Sequence, residues 1–202
     1  MIEHGETISG ELDFTWTTSK PPIYLKLHKN KPTNLKPSNP EENSFVNNTS
    51  TLTGTYTVED IDAITTTQSF WLEVGDARTV NADYPDLKNV IKSTTITFCY
   101  PIFYGTVTKG TEFNEDVLKT LNKKLATSRK GSFDIEKTTI EDNKISVYAI
   151  PVSYGTPTFK VGGFETGYPM TTVSYTNKTS TTNYNVYYGT NTGLNAHTIE
   201  VT

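Results

Sequence analysis

Alternating apolar and polar side chains dominate the first half of the chain. Residues 12–17 place Leu, Phe and Trp at every second position, with Asp and Thr between them. The same two-residue period recurs in four more short segments, at residues 23–27, 56–58, 70–74 and 96–98. A period of two is typical of a β-strand with one buried face. The first half therefore predicts short strands joined by polar turns.

These strands favour a sandwich of two sheets, because they follow one another closely with no helical pattern between them. Residues 1–99 have the roughly 100-residue length of an immunoglobulin-like (Ig-like) β-sandwich. The cysteine pair of antibody domains is missing, since Cys99 is the only cysteine. Residues 29–54 are rich in Asn, Pro, Ser and Thr and predict a long surface excursion. We therefore predict an Ig-like domain over residues 1–99.

A helical stripe opens the second half, where apolar side chains fall on one face of a helix from about residue 114 to residue 126. The stripe consists of Phe113, Val117, Leu118, Leu121 and Leu125. Asn114 is a suitable N-cap, and the acidic first turn and basic last turn complement the helix dipole. Alternation then returns at residues 133–135, 145–149, 173–175, 184–188 and 199–201. We predict a second β-rich domain over residues 100–202, with one helix near 114–126.

Composition agrees with an all-β fold. The 202 residues include 37 Thr, 12 Tyr and 9 Phe, and β-branched and aromatic residues are enriched in strands. The formal net charge of −4 argues against a nucleic-acid partner, which requires a basic surface. No apolar run approaches the length of a membrane span, and residues 1–5 lack a signal-peptide core. We therefore expect neither membrane insertion nor signal-directed secretion.

The residues that usually carry catalysis are scattered. His4, His28 and His197 form no cluster with cysteine or aspartate at metal-ligand spacing. The sequence contains no Gly-x-Ser-x-Gly nucleophile motif and no phosphate-binding glycine loop. Acidic pairs such as Glu141 and Asp142 are sequence neighbours, and neighbours on a strand point to opposite faces. We therefore expect a non-enzymatic protein with no catalytic residue, no metal and no cofactor.

Tyrosine is dense in the predicted C-terminal domain. Tyr168, Tyr184, Tyr187 and Tyr188 are candidates for contact with a partner or a glycan, because tyrosine combines a large contact area with a polar tip. Alternation places Tyr184 and Tyr188 on one face of their strand and Tyr187 on the other. Packing in the core or against a sister subunit is the simpler interpretation of these rings, and it ranks first.

Two short motifs share the pattern apolar-Pro-x-x-Tyr-Gly, at residues 100–105 and 150–155. Each is expected to form a strand-ending corner. Together with the strands at residues 12–17 and 92–98, the motifs resemble a module of tailed-bacteriophage virion proteins. This is the Ig-like plus C-terminal β module of tail, baseplate and fibre proteins of gut phages, including crAss-like phages. The resemblance covers nearly the whole chain, and residues 29–54 and a C-terminal stretch depart from it.

The resemblance implies a virion structural protein that contributes to assembly or to host-surface attachment. It also implies a homo-oligomer or contacts with other virion proteins, a host-surface glycan as a candidate ligand, and no catalytic residue. Two other hypotheses stay open: a carbohydrate-binding module of a larger secreted or cell-surface protein, and a polysaccharide-cleaving spike. Glycan binding by a monomer, lost in Tyr187→Ala, would favour the module. Release of reducing ends would favour the spike.

Overall fold

The computed structural model describes residues 1–18, 24–28, 44–47, 52–75 and 90–202. Within them it contains seventeen strands, one α-helix and one 3₁₀ turn, which confirms the all-β fold class. The chain divides into two compact units: Thr7–Thr97 form one, and Met1–Glu6 together with Phe98–Thr202 form the other. We call the first the inserted domain and the second the base domain, because the inserted domain interrupts the chain of the base domain.

This division differs from the predicted boundary between residues 99 and 100. The first six residues, expected to open the Ig-like domain, belong to the base domain. There Ile2–Glu3 (β1) pairs in parallel with Phe98–Cys99 (β8). Parallel pairing joins segments that are distant in sequence. The pattern of side chains within either segment therefore could not predict the pairing of β1 with β8.

Six strands form the inserted domain. They are β2 (Ile8–Thr17), β3 (Tyr24–His28), β4 (Ser44–Asn47), β5 (Thr53–Ile64), β6 (Gln68–Gly75) and β7 (Val90–Ile96). β2 pairs with β5, the other four lie in the order β4-β3-β6-β7, and every pairing is antiparallel. Strands B and E, and strands C′, C, F and G, of an Ig-like sandwich pair in this way.

The predicted alternation is visible in β2, where Leu12, Phe14 and Trp16 are more buried than the residues between them. Phe14 packs edge to face against Phe70 of β6, with ring centroids 5.1 Å apart. β4 lies inside residues 29–54, where a surface excursion was predicted, and it pairs with β3. Residues 29–43 and 48–51 of that segment lie outside the described residues.

The base domain contains two antiparallel sheets besides the β1–β8 pair. The five-stranded sheet has the order β10-β9-β12-β16-β15, and the four-stranded sheet has the order β11-β17-β13-β14. Their strands are β9 (Pro101–Thr108), β10 (Asn122–Leu125), β11 (Gly131–Ile135), β12 (Lys144–Pro151), β13 (Phe159–Val161), β14 (Phe164–Thr166), β15 (Met170–Asn177), β16 (Ser180–Tyr188) and β17 (His197–Val201). One α-helix, α1 (Glu115–Thr120), and a 3₁₀ turn, Val152–Tyr154, complete the domain.

The five-stranded sheet is covered on both faces. On one face, Leu118 of α1 and the following Leu121 join a core cluster that includes Phe103 and Val147. On the other face, Tyr148 and other residues of the sheet pack against side chains of the four-stranded sheet. The central strand β12 therefore has an unbroken run of buried residues from its second position onward, instead of an alternating one.

The helix is shorter than predicted. Asn114 caps it as expected, since its side chain accepts a hydrogen bond of 3.0 Å from the Val117 N–H, but α1 ends at Thr120. The prediction of helix to residue 126 is wrong, because Asn122–Leu125 form strand β10 on the edge of β9. A six-residue helix has little stability of its own, whereas pairing with β9 satisfies the backbone. No helix among the described residues is long and apolar enough to cross a membrane.

The two Pro-x-x-Tyr-Gly motifs have different roles. The second ends β12 and forms the 3₁₀ turn, so it is the predicted corner. The first is not a corner, because Pro101 begins β9. The motifs meet at the Tyr154 hydroxyl, which accepts a hydrogen bond of 3.2 Å from the Tyr100 N–H and donates to the Ala126 carbonyl. Tyr154 of the second motif therefore fixes the start of β9, the strand that contains most of the first motif.

A tight turn reverses the chain where it leaves β1. The Glu6 N–H donates to the Glu3 carbonyl at 3.1 Å, and Gly5 has a φ of 97°, as in a type II turn. A Cβ at Gly5 would lie only 1.9 Å from the Asn177 carbonyl oxygen. The turn thus docks against β15, and only glycine fits at its third position.

We expect Gly5→Ala to destabilise the base domain by at least about 1 kcal/mol more than Gly110→Ala. Gly110 is the matched control, because its φ is 88° but no atom lies within 4 Å of its added Cβ. Nine of the twelve tyrosines lie in the base domain, so the near-UV circular dichroism of tyrosine during denaturation reports mainly on that domain. Tryptophan fluorescence follows the inserted domain, which contains Trp16 and Trp71. Equal losses in the two variants would contradict the docking of this turn.

Candidate functional site

Two of the four candidate contact tyrosines are core residues. Tyr184 is 0% exposed, and its hydroxyl donates to the Pro101 carbonyl at 2.8 Å. Tyr187 is 8% exposed, and its ring packs 5.0 Å from that of Phe159. A buried ring cannot stack on a sugar from solvent. The prediction of partner or glycan contact is therefore wrong for Tyr184 and Tyr187, and core packing, which ranked first, is correct for both.

Tyr168 and Tyr188 are half-buried and line the same pocket. The ring of Tyr188 packs 5.0 Å from Phe113, with the core cluster that includes α1. Tyr168 belongs to the cluster between the two sheets. The predicted alternation of β16 is correct, because Tyr184 and Tyr188 belong to one cluster and Tyr187 to the other. Contact of Tyr168 and Tyr188 with a ligand stays a prediction.

The pocket has a volume of about 280 Å³ and lies at one end of the core between the two sheets. We call it the Tyr168 pocket. Ser146 of β12, His197 of β17 and Val161 of β13 contribute to its wall, and the segments around Tyr168 and Asn191 complete it. Two sheets and two connecting segments therefore build one concave site, as is common for small-molecule sites.

The lining of the Tyr168 pocket is formally neutral. Among the described residues it contains no Asp, Glu, Lys or Arg, and its polar groups are the hydroxyls of serine, threonine and tyrosine, the amide of Asn191 and the imidazole of His197. Val161, Pro169 and Leu194 supply apolar surface. Such a lining offers hydrogen bonds in both directions but no fixed charge.

Tyr168 packs against the core at the pocket wall. Its ring stands edge-on 5.0 Å from Phe159, and Ser146, which is 3% exposed, is part of the same lining. Burial raises the pKa of Tyr168, and the Ser146 side chain opposes that shift. The hydroxyl therefore stays protonated near neutral pH and acts as a hydrogen-bonding group.

The tautomer of His197 follows from its one hydrogen bond. Nδ1 lies 2.8 Å from the Asn195 carbonyl oxygen, and a carbonyl oxygen only accepts, so Nδ1 carries the proton. In the neutral ring Nε2 is then an acceptor. No residue in the described part of the chain forms a hydrogen bond with Nε2. His197 thus adds an acceptor to a pocket that is rich in hydroxyl donors.

Phe164 is an exposed aromatic residue that the sequence analysis did not single out. It begins β14 after the Gly162–Gly163 turn and is 79% exposed. Val161, before the turn, and Thr166, at the end of β14, line the Tyr168 pocket. The sequence feature that could have predicted this exposure is a bulky apolar residue directly after two glycines, in a hairpin too short to bury its side chain.

A second group of polar residues fastens the first six residues to the base domain. Glu3 is 6% exposed, accepts a hydrogen bond of 2.7 Å from the Tyr175 hydroxyl, and forms an ion pair with Lys123. Burial, followed by the Glu3 carboxylate, raises the pKa of Tyr175, so that its hydroxyl remains a donor. A buried carboxylate with both a donor and a cation is well satisfied.

Glu6 forms the outer part of this group. It accepts hydrogen bonds from Lys178 and from Asn177, whose amide also donates to the His4 carbonyl at 3.0 Å. The bond from Lys178, followed by that from Asn177, lowers the pKa of Glu6. The first six residues are thus held by polar contacts to β15, to Lys178 directly after it, and to β10.

The three histidines lie in different surroundings. The ring of His4 stacks 4.4 Å from Tyr100, and Nε2 of His28 lies 2.7 Å from Oε2 of Glu73. No group of three or more His, Cys, Asp or Glu side chains in the described ranges could hold a metal ion. Cys99 is buried, and burial raises the pKa of its thiol.

We expect Glu3→Ala to destabilise the base domain by about 1–3 kcal/mol, because the Tyr175 hydroxyl loses its acceptor and Lys123 loses its counter-charge. Glu112→Ala is the matched control, since Glu112 is exposed, and it should change stability by less than about 0.5 kcal/mol. Denaturation followed by tyrosine circular dichroism measures both losses. If Tyr175→Phe and Glu3→Ala destabilise additively, the two side chains are not coupled.

The lowered pKa of Glu6 predicts a dependence of stability on pH. The folded state favours the charged carboxylate, so its contribution is present above the ordinary value of 4.5 and is lost as pH falls through the lower folded pKa. The melting temperature of Glu6→Gln should therefore lie below that of the wild type at pH 7, and the difference should shrink in acid. A difference independent of pH would contradict this assignment, and Glu112→Gln should show no difference.

Comparison with known proteins found no match to this chain among protein-family models, curated proteins or solved structures. Its function is therefore argued from the two domains and their sites.

Proposed function

We propose that this protein is a non-enzymatic structural component of a phage virion, in a tail, fibre or baseplate. In this role the base domain is held in the assembly, the inserted domain is displayed, and the chain contributes to attachment to the host surface. The observation that carries the proposal is the insertion itself, in which a unit whose described strands form two antiparallel sheets interrupts the chain of another β domain.

Insertion suits a protein that must bear load. A domain at the end of a chain is held by one covalent crossing, whereas the inserted domain is held by two, at residues 6–7 and 97–98. The strands next to both crossings pair with each other, as β1 and β8. Pulling on the inserted domain therefore loads a hydrogen-bonded pair, the ion pair of Glu3 with Lys123, and two segments of backbone.

Assembly into a homo-oligomer is supported by strand β15. It is an edge strand of the five-stranded sheet, with no further partner among the described residues. Its sequence from Met170 to Asn177 contains no charged residue and no proline, which are the usual means of keeping an edge from pairing. The edge is therefore suited to pair with a different strand edge of a sister subunit, because such head-to-tail contacts can close into a ring.

Light scattering tests the oligomer, and we expect the mass of a trimer or a hexamer for the wild type. Ser174→Lys should shift the protein toward the monomer, because it places a charge on the edge strand. Asn183→Lys is the matched control, since Asn183 pairs with Ser174 from the inner strand β16. A monomeric wild type would count against the proposal.

Labelling of particles tests the place of the protein. Antibodies against the purified chain should bind to the tails of intact particles of the phage that encodes it. Failure to label intact particles, with labelling of infected-cell lysate, would contradict a virion component.

A further inference from the structure

We infer that the Tyr168 pocket binds a single neutral sugar ring. This deepens the proposed function, since it rests on the host-attachment role and names the class of ligand for it. The inference is drawn from the lining of the pocket, its size and the way in which its walls are held.

The lining favours a neutral ligand with many hydroxyl groups. An anion or a cation entering the pocket would lose hydration without meeting a counter-charge, because no lining residue is Asp, Glu, Lys or Arg. A sugar needs donors and acceptors together. The hydroxyl of Ser146 and the amide of Asn191 supply both, and Nε2 of neutral His197 supplies an acceptor.

The apolar part of the lining matches the other surface of a sugar. Pyranose rings expose C–H groups between their hydroxyls, and these pack against aromatic and aliphatic side chains. Tyr168, Val161 and Leu194 supply such surface in the Tyr168 pocket. The mixture separates a sugar from an apolar ligand, which would leave Ser146, Asn191 and His197 without partners.

The volume of the pocket sets the length of the ligand. About 280 Å³ lies just below the range of roughly 300–1,000 Å³ that holds drug-sized ligands. One ring fits this space, and a longer glycan would place one residue inside and leave the rest outside. The site is therefore suited to a terminal or branching residue of a surface glycan.

The walls are held in place without a ligand. The Tyr188 N–H donates to the Pro169 carbonyl at 3.1 Å, which fixes the segment that follows Tyr168. Leu194 and Thr138 exchange two hydrogen bonds, of 2.8 and 3.0 Å, which fix the segment that contains Asn191. A preformed wall reduces the ordering cost of binding, which matters for a small ligand with few contacts.

Two-dimensional ¹H–¹⁵N NMR of the full chain tests the inference. The neutral probes are D-glucose, D-galactose and N-acetyl-D-glucosamine, and the charged comparators are D-glucuronate and inorganic phosphate. At least one neutral probe should bind in the millimolar range and shift the amides of residues 166–168, 189–191 and 197. Both charged comparators should bind at least about tenfold more weakly.

Variants link binding to the pocket. Asn191→Ala should weaken binding about tenfold, whereas Asn195→Ala, whose side chain lies outside the lining, should leave it unchanged. Gly167→Leu should abolish binding by filling the space. Gly167 lines the pocket, and no atom lies within 4 Å of its added Cβ, so this variant should fold. Phe164→Ala should leave binding unchanged, because Phe164 is not part of the lining.

Three results would overturn the inference: no shift with any neutral probe, shifts that map away from the pocket, or tighter binding of a charged comparator. Such a result in a protein that still forms the expected oligomer and labels tails would leave the proposed function intact. Sugar binding by a monomer that labels no particle would have the opposite meaning. It would identify the chain as a carbohydrate-binding module.

Discussion

The buried carboxylate of Glu3 holds the architecture together. It lies in a segment of six residues that has no core of its own and belongs to a domain whose remaining residues begin at Phe98. Isolation of that charge from water is costly, and the Tyr175 hydroxyl and the Lys123 ammonium offset the cost. Without these contacts only the two-residue pairing of β1 with β8 and the turn that follows β1 would anchor the first crossing in the base domain.

Tyrosine explains how a chain with modest apolar content builds two cores. Three tyrosines of the base domain pack their rings in its interior and donate hydrogen bonds from their hydroxyls to backbone carbonyls. Tyr148 donates to Arg129 at 2.8 Å, and Tyr184 donates to Pro101 at the same distance. Each side chain thus adds apolar area and joins two segments, where leucine would add only area. Of the rings that looked like a binding surface in the sequence, Tyr184 is such a cross-link and Tyr187 is a core residue.

The sequence predicted what depends on neighbouring residues. Alternation identified strands β2 and β16 and placed Tyr184 and Tyr187 on opposite faces of β16, because side-chain direction follows from backbone geometry alone. The cap at Asn114 was visible for the same reason. The end of α1 was not, since the free edge of β9 that captures Asn122–Leu125 is formed elsewhere in the chain. Burial of Tyr184, the pairing of β1 with β8 and the Tyr168 pocket likewise depend on segments that meet only in the fold.

The reverse turn at Glu3–Glu6 has a consequence for how such a chain can change. It sends the backbone back along β1, so that the exit toward residue 7 and the re-entry at residue 98 lie at the same end of the β1–β8 pair. Because these two chain ends of the base domain are neighbours, a compact domain whose own termini are close together can be inserted between them. Recombination at these two positions could exchange one sandwich for another and leave the core of the recipient untouched. The base domain thus has an insertion site at these two crossings. Proteins that retain this site can differ in the inserted domain while the fold of the base domain stays the same.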